Sequence, residues 1–453
     1  MLERSFLAQG YRLACEHYLE QWGAEETLVL ALPEAAFAKK EQTPSVRSQR
    51  PCVLAVDVGT STICWACQDT AGAPLARGQT INPQGGVGSD LVSRLQAARD
   101  PARRKTLSHR LWHCLQGILT QLPLGVERIV LAANTGMTLL FLDEDIEGLC
   151  QAPFHHSVPG NMWIERPGFP PIYIPPLPGP FIGSDIVLGV LSLAKEARCP
   201  WLLIDLGTNA EFALQTKDQL FLTSVPMGPA MEGIGMRCGQ SAGDGVINRF
   251  FVDHKGLAGL CTETGEIYRE QKAVGISATG YFSLLALLLG LGVVNRDGCF
   301  VETATMPVAK RILDKVCKQG KRVFLPLPGD VFLDGFDIEA CLEVKAAFCI
   351  AIQALLEAAH LRPDALATVY LGGALGEHVG IADLRALGFL SKAVRQIVSI
   401  GNTALQGALA LALHPEESAA LATSIAKARC IPLTEHPRFH ERFVDNMHFA
   451  CMV

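Results

Sequence analysis

Val53-Leu-Ala-Val-Asp-Val-Gly-Thr-Ser-Thr62 decides the fold, because Trp201-Leu-Leu-Ile-Asp-Leu-Gly-Thr-Asn209 repeats it. Each copy is an apolar run, an aspartate, one more apolar residue, then glycine and threonine. The apolar runs read as buried strands, and a second strand follows each, through Cys67 and through Leu214. Glycine permits the tight turn of a β-hairpin. Backbone N–H groups and Thr, Ser and Asn side chains around such a turn can cradle phosphate oxygens. An aspartate at each strand end suits Mg²⁺, which favours carboxylates and retained water. The copies lie about 150 residues apart, the scale of a duplicated domain.

A third element follows. Val369-Tyr-Leu-Gly-Gly-Ala-Leu-Gly376 is an apolar strand entering a glycine turn, where a nucleoside can lie against bare backbone. One Asp-x-Gly-Thr hairpin is an ordinary turn; two of them and a glycine turn, in this order, point to a nucleotide.

Composition narrows the class. The chain has 453 residues, 49% hydrophobic and 19% charged, which suits two or three well-buried units rather than disorder. A formal net charge of -6 argues against nucleic acid as a partner. The short basic run from Arg99 to Arg104-Lys105 reads as a solvated helix end. Tyr281–Val294, the most apolar stretch, falls short of the roughly 20 residues of a bilayer span and reads as a core helix. No secretory signal is visible, so a cytoplasmic protein without a membrane segment is expected. The fifteen cysteines are scattered. Cys64 and Cys67 lie three apart on a strand and so point to opposite faces, which favours packing over a shared metal.

Along the chain, Lys39–Pro51 reads as a linker and Arg128–Ala133 as a strand ending in Asn134-Thr-Gly136. Seven prolines between Pro167 and Pro180 read as a stiff, extended connection. A long helix is expected over Asp337–His360, a strand over Thr368–Leu371 and a last helix around Thr403–Leu413. The expected units are residues 1–50, a first lobe over 51–180 and a second over 181–453.

The order of the three elements resembles the superfamily of acetate and sugar kinases, heat-shock 70 proteins and actin. That resemblance implies an α/β, two-lobed, actin-like (ribonuclease-H-like, ASKHA) fold. Within it, Asn82-Pro-Gln84, Ser89-Asp-Leu-Val-Ser-Arg94 and Ala133-Asn-Thr-Gly-Met137 resemble the middle region of the reductive activators of corrinoid proteins. Pro229-Ala-Met-Glu-Gly233, Gly243-Asp-Gly-Val-Ile247 and Gly401-Asn-Thr-Ala-Leu-Gln-Gly-Ala408 are similar to that family's C-terminal region. Ala210 and Ala133 depart from the pattern, standing where glycine is common.

The resemblance implies ATP and Mg²⁺ as cofactors. Asp57 and Asp205 are the candidate metal ligands. Gly59, Thr60, Ser61 and Thr62, with Gly207, Thr208 and Asn209, would line the phosphates, and Gly372 and Gly373 would meet adenosine. Asp205 is also a candidate catalytic group, with Glu211 and Glu232 orienting the attacking water. Glu232 reads equally well as a helix-start carboxylate acting on the helix dipole.

Members of the family carry an N-terminal [2Fe–2S] ferredoxin domain. Tyr11-Arg-Leu-Ala-Cys15 and Thr27–Pro33 resemble the end of such a domain, but residues 1–14 hold no cysteine. Four thiolates are needed, so no intact cluster is expected, and Cys15 reads as a ferredoxin remnant. The expected function is ATP-coupled return of Co(II) corrinoid to Co(I) on a partner corrinoid protein or methyltransferase. A separate ferredoxin-like electron donor and a homodimer are part of that expectation. Two alternatives stand beside it. One is a small-molecule kinase using Asp185 or Asp244 as base; the other is a nucleotide-sensing scaffold without catalysis.

Overall fold

The computed structural model describes residues 51–450, apart from Ser89, 123–124, 195–196, Thr208, 228–234, Lys321 and 434–437. The expected ferredoxin remnant with Cys15, and the candidates Thr208 and Glu232, lie outside the described residues.

Strand β1 (Cys52–Val58) turns back as β2 (Thr62–Asp69), and β3 (Pro74–Ile81) extends this meander. Helices α1 (Leu91–Ala98), α2 (Pro101–Leu119) and α3 (Thr135–Leu142) flank β4 (Val126–Ala132), which pairs with β1 in parallel. Strands β5 (Met162–Ile164) and β6 (Ile172–Ile174) complete a sheet of order β3-β2-β1-β4-β6-β5. The proline-rich passage is therefore more than a connection. Ile172-Tyr-Ile174 is fully buried and pairs with β4, with prolines kept to its flanks where no ladder bond is lost.

Helix α4 (Ser184–Leu193) leads into β7 (Trp201–Leu206), β8 (Asn209–Gln215) and β9 (Leu220–Pro226), again a meander. Helices α5 (Ala278–Leu291) and α6 (Gly335–Ala358) precede β10 (Thr368–Gly372), which joins β7 in parallel. After helices α7 (Gly373–His378) and α8 (Ile381–Ala386), β11 (Ile397–Gly401) pairs with β10. Helix α9 (Thr403–Leu413) and β12 (Arg429–Cys430) follow. The order is β11-β10-β7-β8-β9-β12, so β9-β8-β7-β10-β11 repeats the connectivity of β3-β2-β1-β4-β6.

Burial follows the two-residue period of each strand. Cys52, Leu54 and Val56 enter an outer core with α1, α2 and α3. Leu202 and Ile204 enter a core on the far side of the second sheet, with α5 and α6. Val53 and Ala55 of β1, and Trp201 and Leu203 of β7, instead meet in a core between the sheets, filled by α4 and α9. Those two helices touch through glycines: a Cβ on Gly407 would overlap the Leu188 carbonyl, and one on Gly189 would sit 2.9 Å from Thr403 Oγ1.

Helix α5 is the core helix expected near Tyr281, and it stops at Gly292, whose φ of 70° ends the helix in the left-handed region. Among the described residues, no helix is long and apolar enough to cross a membrane. Helix α6 begins at Asp334, whose carboxylate accepts from the Asp337 N–H while Asp337 accepts from the Asp334 N–H.

Candidate functional site

Asp57 follows Val53 and Ala55 on the inner row of β1, and Asp205 follows Trp201 and Leu203 on that of β7. Alternation alone therefore turns both carboxylates into the layer between the sheets, at the C-terminal strand ends. The N-termini of α4 and α9 meet them there, bringing Asp185, Asn402 and Thr403 to the same place. Glu211 joins them, since β8 sets it opposite Asp205.

Local contacts fix each piece. Asn82 Nδ2 donates to the Gly59 carbonyl at 2.7 Å, tying the first loop to the end of β3. The Ser184 N–H donates to the Ala133 carbonyl at 2.9 Å, and a Cβ on Gly183 would overlap that same carbonyl. The start of α4 is thus pressed onto the end of β4, which sets Asp185. Asn402 Nδ2 donates to Asp57 Oδ2 at 2.7 Å, and Thr403 Oγ1 to Asp205 Oδ2 at 3.5 Å.

Burial raises all four carboxyls, and neighbouring carboxylates add to it at Asp185, Asp205 and Glu211. Burial pushes Asp57 up to about 6, against the Asn402 hydrogen bond. Asp185 rises to about 7 through burial and the charge of Asp57, opposed by the Ile186 N–H. Asp205 rises to about 8 through burial and the charges of Asp185 and Asp57. Glu211, 5% exposed, is held well above the ordinary range by burial and all three aspartates. Cys64 stands opposite Asp57; burial and that charge push its thiol up to about 12. Cys67 points to the other face and packs in the outer core, so the two thiols do not meet across the strand.

Such a cluster suits a divalent cation, which removes the repulsion that keeps these acids protonated. Among the described residues, no three His, Cys, Asp or Glu side chains group closely enough to hold a metal ion alone. Mg²⁺ takes one or two carboxylates and completes its shell with water and phosphate.

A cavity of about 620 Å³ opens beside the cluster, lined by Ser61, Thr62 and Gly207 at one end and by Ser277, His378 and Asp383 further along. The expected residues Gly59, Thr60 and Asn209 sit in the two hairpin turns at its edge. Gly372 and Gly373 pack closely against other residues of the cluster. A Cβ on Gly372 would meet Thr403, and one on Gly373, at a φ of 79°, would overlap the Asp205 carboxylate. What reads as a glycine turn over Gly372–Gly376 is helical from Gly373 on, and α7 presents Leu375 and His378 to the cavity.

Sequence reasoning weighed Asp185 only as a kinase base and gave Asn402 and Thr403 no role. Local signals exist: Asp185 is an acid in a first helical turn, and Asn402 is an N-cap residue ahead of an apolar helix.

Residues 52–196 match the family model of the RACo middle region, and residues 200–452 that of the C-terminal domain of RACo, the ASKHA domain. The corrinoid activation enzyme RamQ of Eubacterium limosum is 26% identical over 436 residues, 90% of this chain and 72% of that protein. The [Co(II) methylated amine-specific corrinoid protein] reductase of Methanosarcina barkeri is 29% identical over 260 residues, 54% of this chain and 44% of that protein. The solved structure of a reductive activator for corrinoid, iron-sulfur protein superposes with a TM-score of 0.74 at 25% identity. It spans 89% of this chain and 67% of that one. The duplicated α/β sheets thus have a known counterpart, and the chain belongs to the RACo family of reductive activators of corrinoid proteins, with their actin-like ASKHA fold.

Proposed function

We propose that this chain binds and hydrolyses Mg-ATP to drive the return of an inactive Co(II) corrinoid, held on a partner protein, to Co(I). The observation that carries the reading is the convergence of Asp57 and Asp205, from twin hairpins, beside a cleft of nucleotide size. Asp57 and Asp205 would hold Mg²⁺ through carboxylate oxygens and water. The ion supplies charge neutralisation of the phosphates.

The backbone of Gly59–Thr62, with the Ser61 and Thr62 hydroxyls, cradles one set of phosphate oxygens; Gly207, Thr208 and Asn209 take the other. The nucleoside extends along the cavity past the Gly372–Gly373 turn. Glu211 and Glu232 orient the attacking water, and Asp185, with its carboxyl near 7, can accept or return its proton. Nucleotide state acts on the corrinoid partner through different affinities of the two states, the only way binding can shift such an equilibrium.

Reduction of Co(II) to Co(I) takes one electron. We assign that electron to a separate ferredoxin-like donor. A homodimer acting in the cytoplasm completes the proposal.

The test mixes the protein with a Co(II) corrinoid protein, Mg-ATP and a low-potential reductant, and follows Co(I) by its absorbance. Nucleotide-dependent Co(I) formation is expected, and its absence with every corrinoid partner tried would overturn the reading. Iron content, the visible spectrum and light scattering check the cluster and the dimer. Asp185 also meets the requirement of a kinase base. ADP release stimulated by a hydroxyl metabolite, rather than by a corrinoid protein, would favour that second reading.

A further inference from the structure

Gly401-Asn-Thr-Ala-Leu-Gln-Gly-Ala408 stands out in the sequence and takes no part in the assignments above. Asn402 lies 345 residues from Asp57 in the chain, yet its Nδ2 donates to Asp57 Oδ2 at 2.7 Å. Its Oδ1 accepts from the Leu405 N–H, also at 2.7 Å, as the N-cap of α9. That second bond fixes the amide: the oxygen is taken by the helix, so only the nitrogen can face the carboxylate. The next residue, Thr403, is fully buried against Gly372 and Gly189 and donates to Asp205. The first turn of α9 therefore reaches the loop aspartates of both sheets and has little freedom to shift.

Asp57 otherwise faces acids of its own sign, Asp185, Asp205 and Glu211. A carboxylate in that company turns away unless a donor holds it. We propose that Asn402 is a positioning residue for the cation-binding end of the site, holding the Asp57 carboxylate aimed to receive Mg²⁺. The proposal rests on the nucleotide reading above. It predicts a defect in how much Mg²⁺ the site needs, and little defect once the ion is saturating.

Two variants separate this role from helix capping. Serine in Asn402→Ser can still accept from the Leu405 N–H but is too short to reach Asp57 as well. Asn402→Thr keeps a cap of the same short reach and repeats the comparison with a second side chain. The experiment titrates MgCl₂ into protein with a fluorescent ATP analogue, and also follows the thermal midpoint with and without the ion.

For Asn402→Ser, the half-saturating Mg²⁺ concentration should rise about tenfold, the worth of one hydrogen bond to a charged group. Analogue affinity at saturating Mg²⁺ should stay close to wild type, while the metal-free midpoint should fall modestly, since the bond to Asp57 is present without the ion. Asn402→Thr should show the same rise, and it carries the comparison if the serine variant is unstable. A Mg²⁺ requirement equal to wild type in these variants would overturn the proposal. A wild-type protein that binds no analogue at any Mg²⁺ concentration would instead overturn the nucleotide reading beneath it.

Discussion

Asp205 and Glu211 stand opposite one another in the register of the β7–β8 hairpin, so two carboxyls share one desolvated corner. Asp185 and Asp57 add their charges to it. The consequences are measurable without any partner protein.

Asp205→Asn keeps the shape and removes a group that Asp185 and Asp57 repel. Metal-free protein at pH 8 should gain on the order of 1 kcal/mol, about one pKa unit of relieved repulsion. Nucleotide hydrolysis should fall at least about a hundredfold, as when an electrostatic contact to the reacting phosphate is lost. Thermal denaturation and a phosphate-release assay on the same preparation check both signs together.

Glu211→Gln removes a charge that burial and the neighbouring aspartates disfavour. Stability without metal should not fall. Nucleotide affinity should hold while single-turnover hydrolysis falls about tenfold or more, the loss expected of a group that orients water. Unchanged hydrolysis would remove Glu211 from the mechanism and leave it a structural acid.

The pH dependence has a definite sign. Asp57, Asp185 and Asp205 titrate near 6, 7 and 8 in the folded chain, above the ordinary aspartate value of 3.8. Between these limits the folded state holds protons that the unfolded chain has released, so stability falls as pH rises. The thermal midpoint without divalent ions should drop between pH 5 and pH 8, most steeply in the lower part, where all three aspartates are protonated only in the folded chain. Millimolar Mg²⁺ should flatten that slope. A midpoint rising over this interval would contradict the cluster.

Two glycines offer a matched pair. Gly407→Ala would drive a methyl into the Leu188 carbonyl at the α4–α9 crossing and should cost about 1–3 kcal/mol through overpacking. Gly290, inside α5, has nothing within 4 Å of its would-be Cβ, so Gly290→Ala should stabilise by up to about 1 kcal/mol. Urea titrations of the two variants should move the midpoint in opposite directions.

Much of this architecture is legible in the chain because it is local. Apolar runs ending in Asp-x-Gly-Thr specify both hairpins, and β1 and β7 extend each run by no more than two residues at either end. Helix α9 falls on Thr403–Leu413 because Asn402 caps an apolar helix at a recognisable boundary. The strand Ile172–Ile174 is hidden because prolines surround it, and only pairing with β4, some forty residues earlier, makes it a strand. Asn402 and Asp185 escaped the nucleotide-site assignment for a related reason. Their partners lie at the ends of other strands, and no spacing along the chain encodes that meeting. The glycines at 372 and 373 show the converse. Their type is plain in sequence, but whether bare backbone faces a ligand or a neighbouring aspartate depends on the folded surroundings.

Four acids brought together have a further effect, on how long the molecule lasts. Anything that binds only the folded form shifts the unfolding equilibrium in its favour, and an ion that quieted this cluster would do so. If nucleotide and cation bind as proposed, chains that have released them would be the fraction most open to proteases. Cellular lifetime would follow occupancy, with idle molecules cleared ahead of working ones, and pulse-chase decay under magnesium limitation would reveal it.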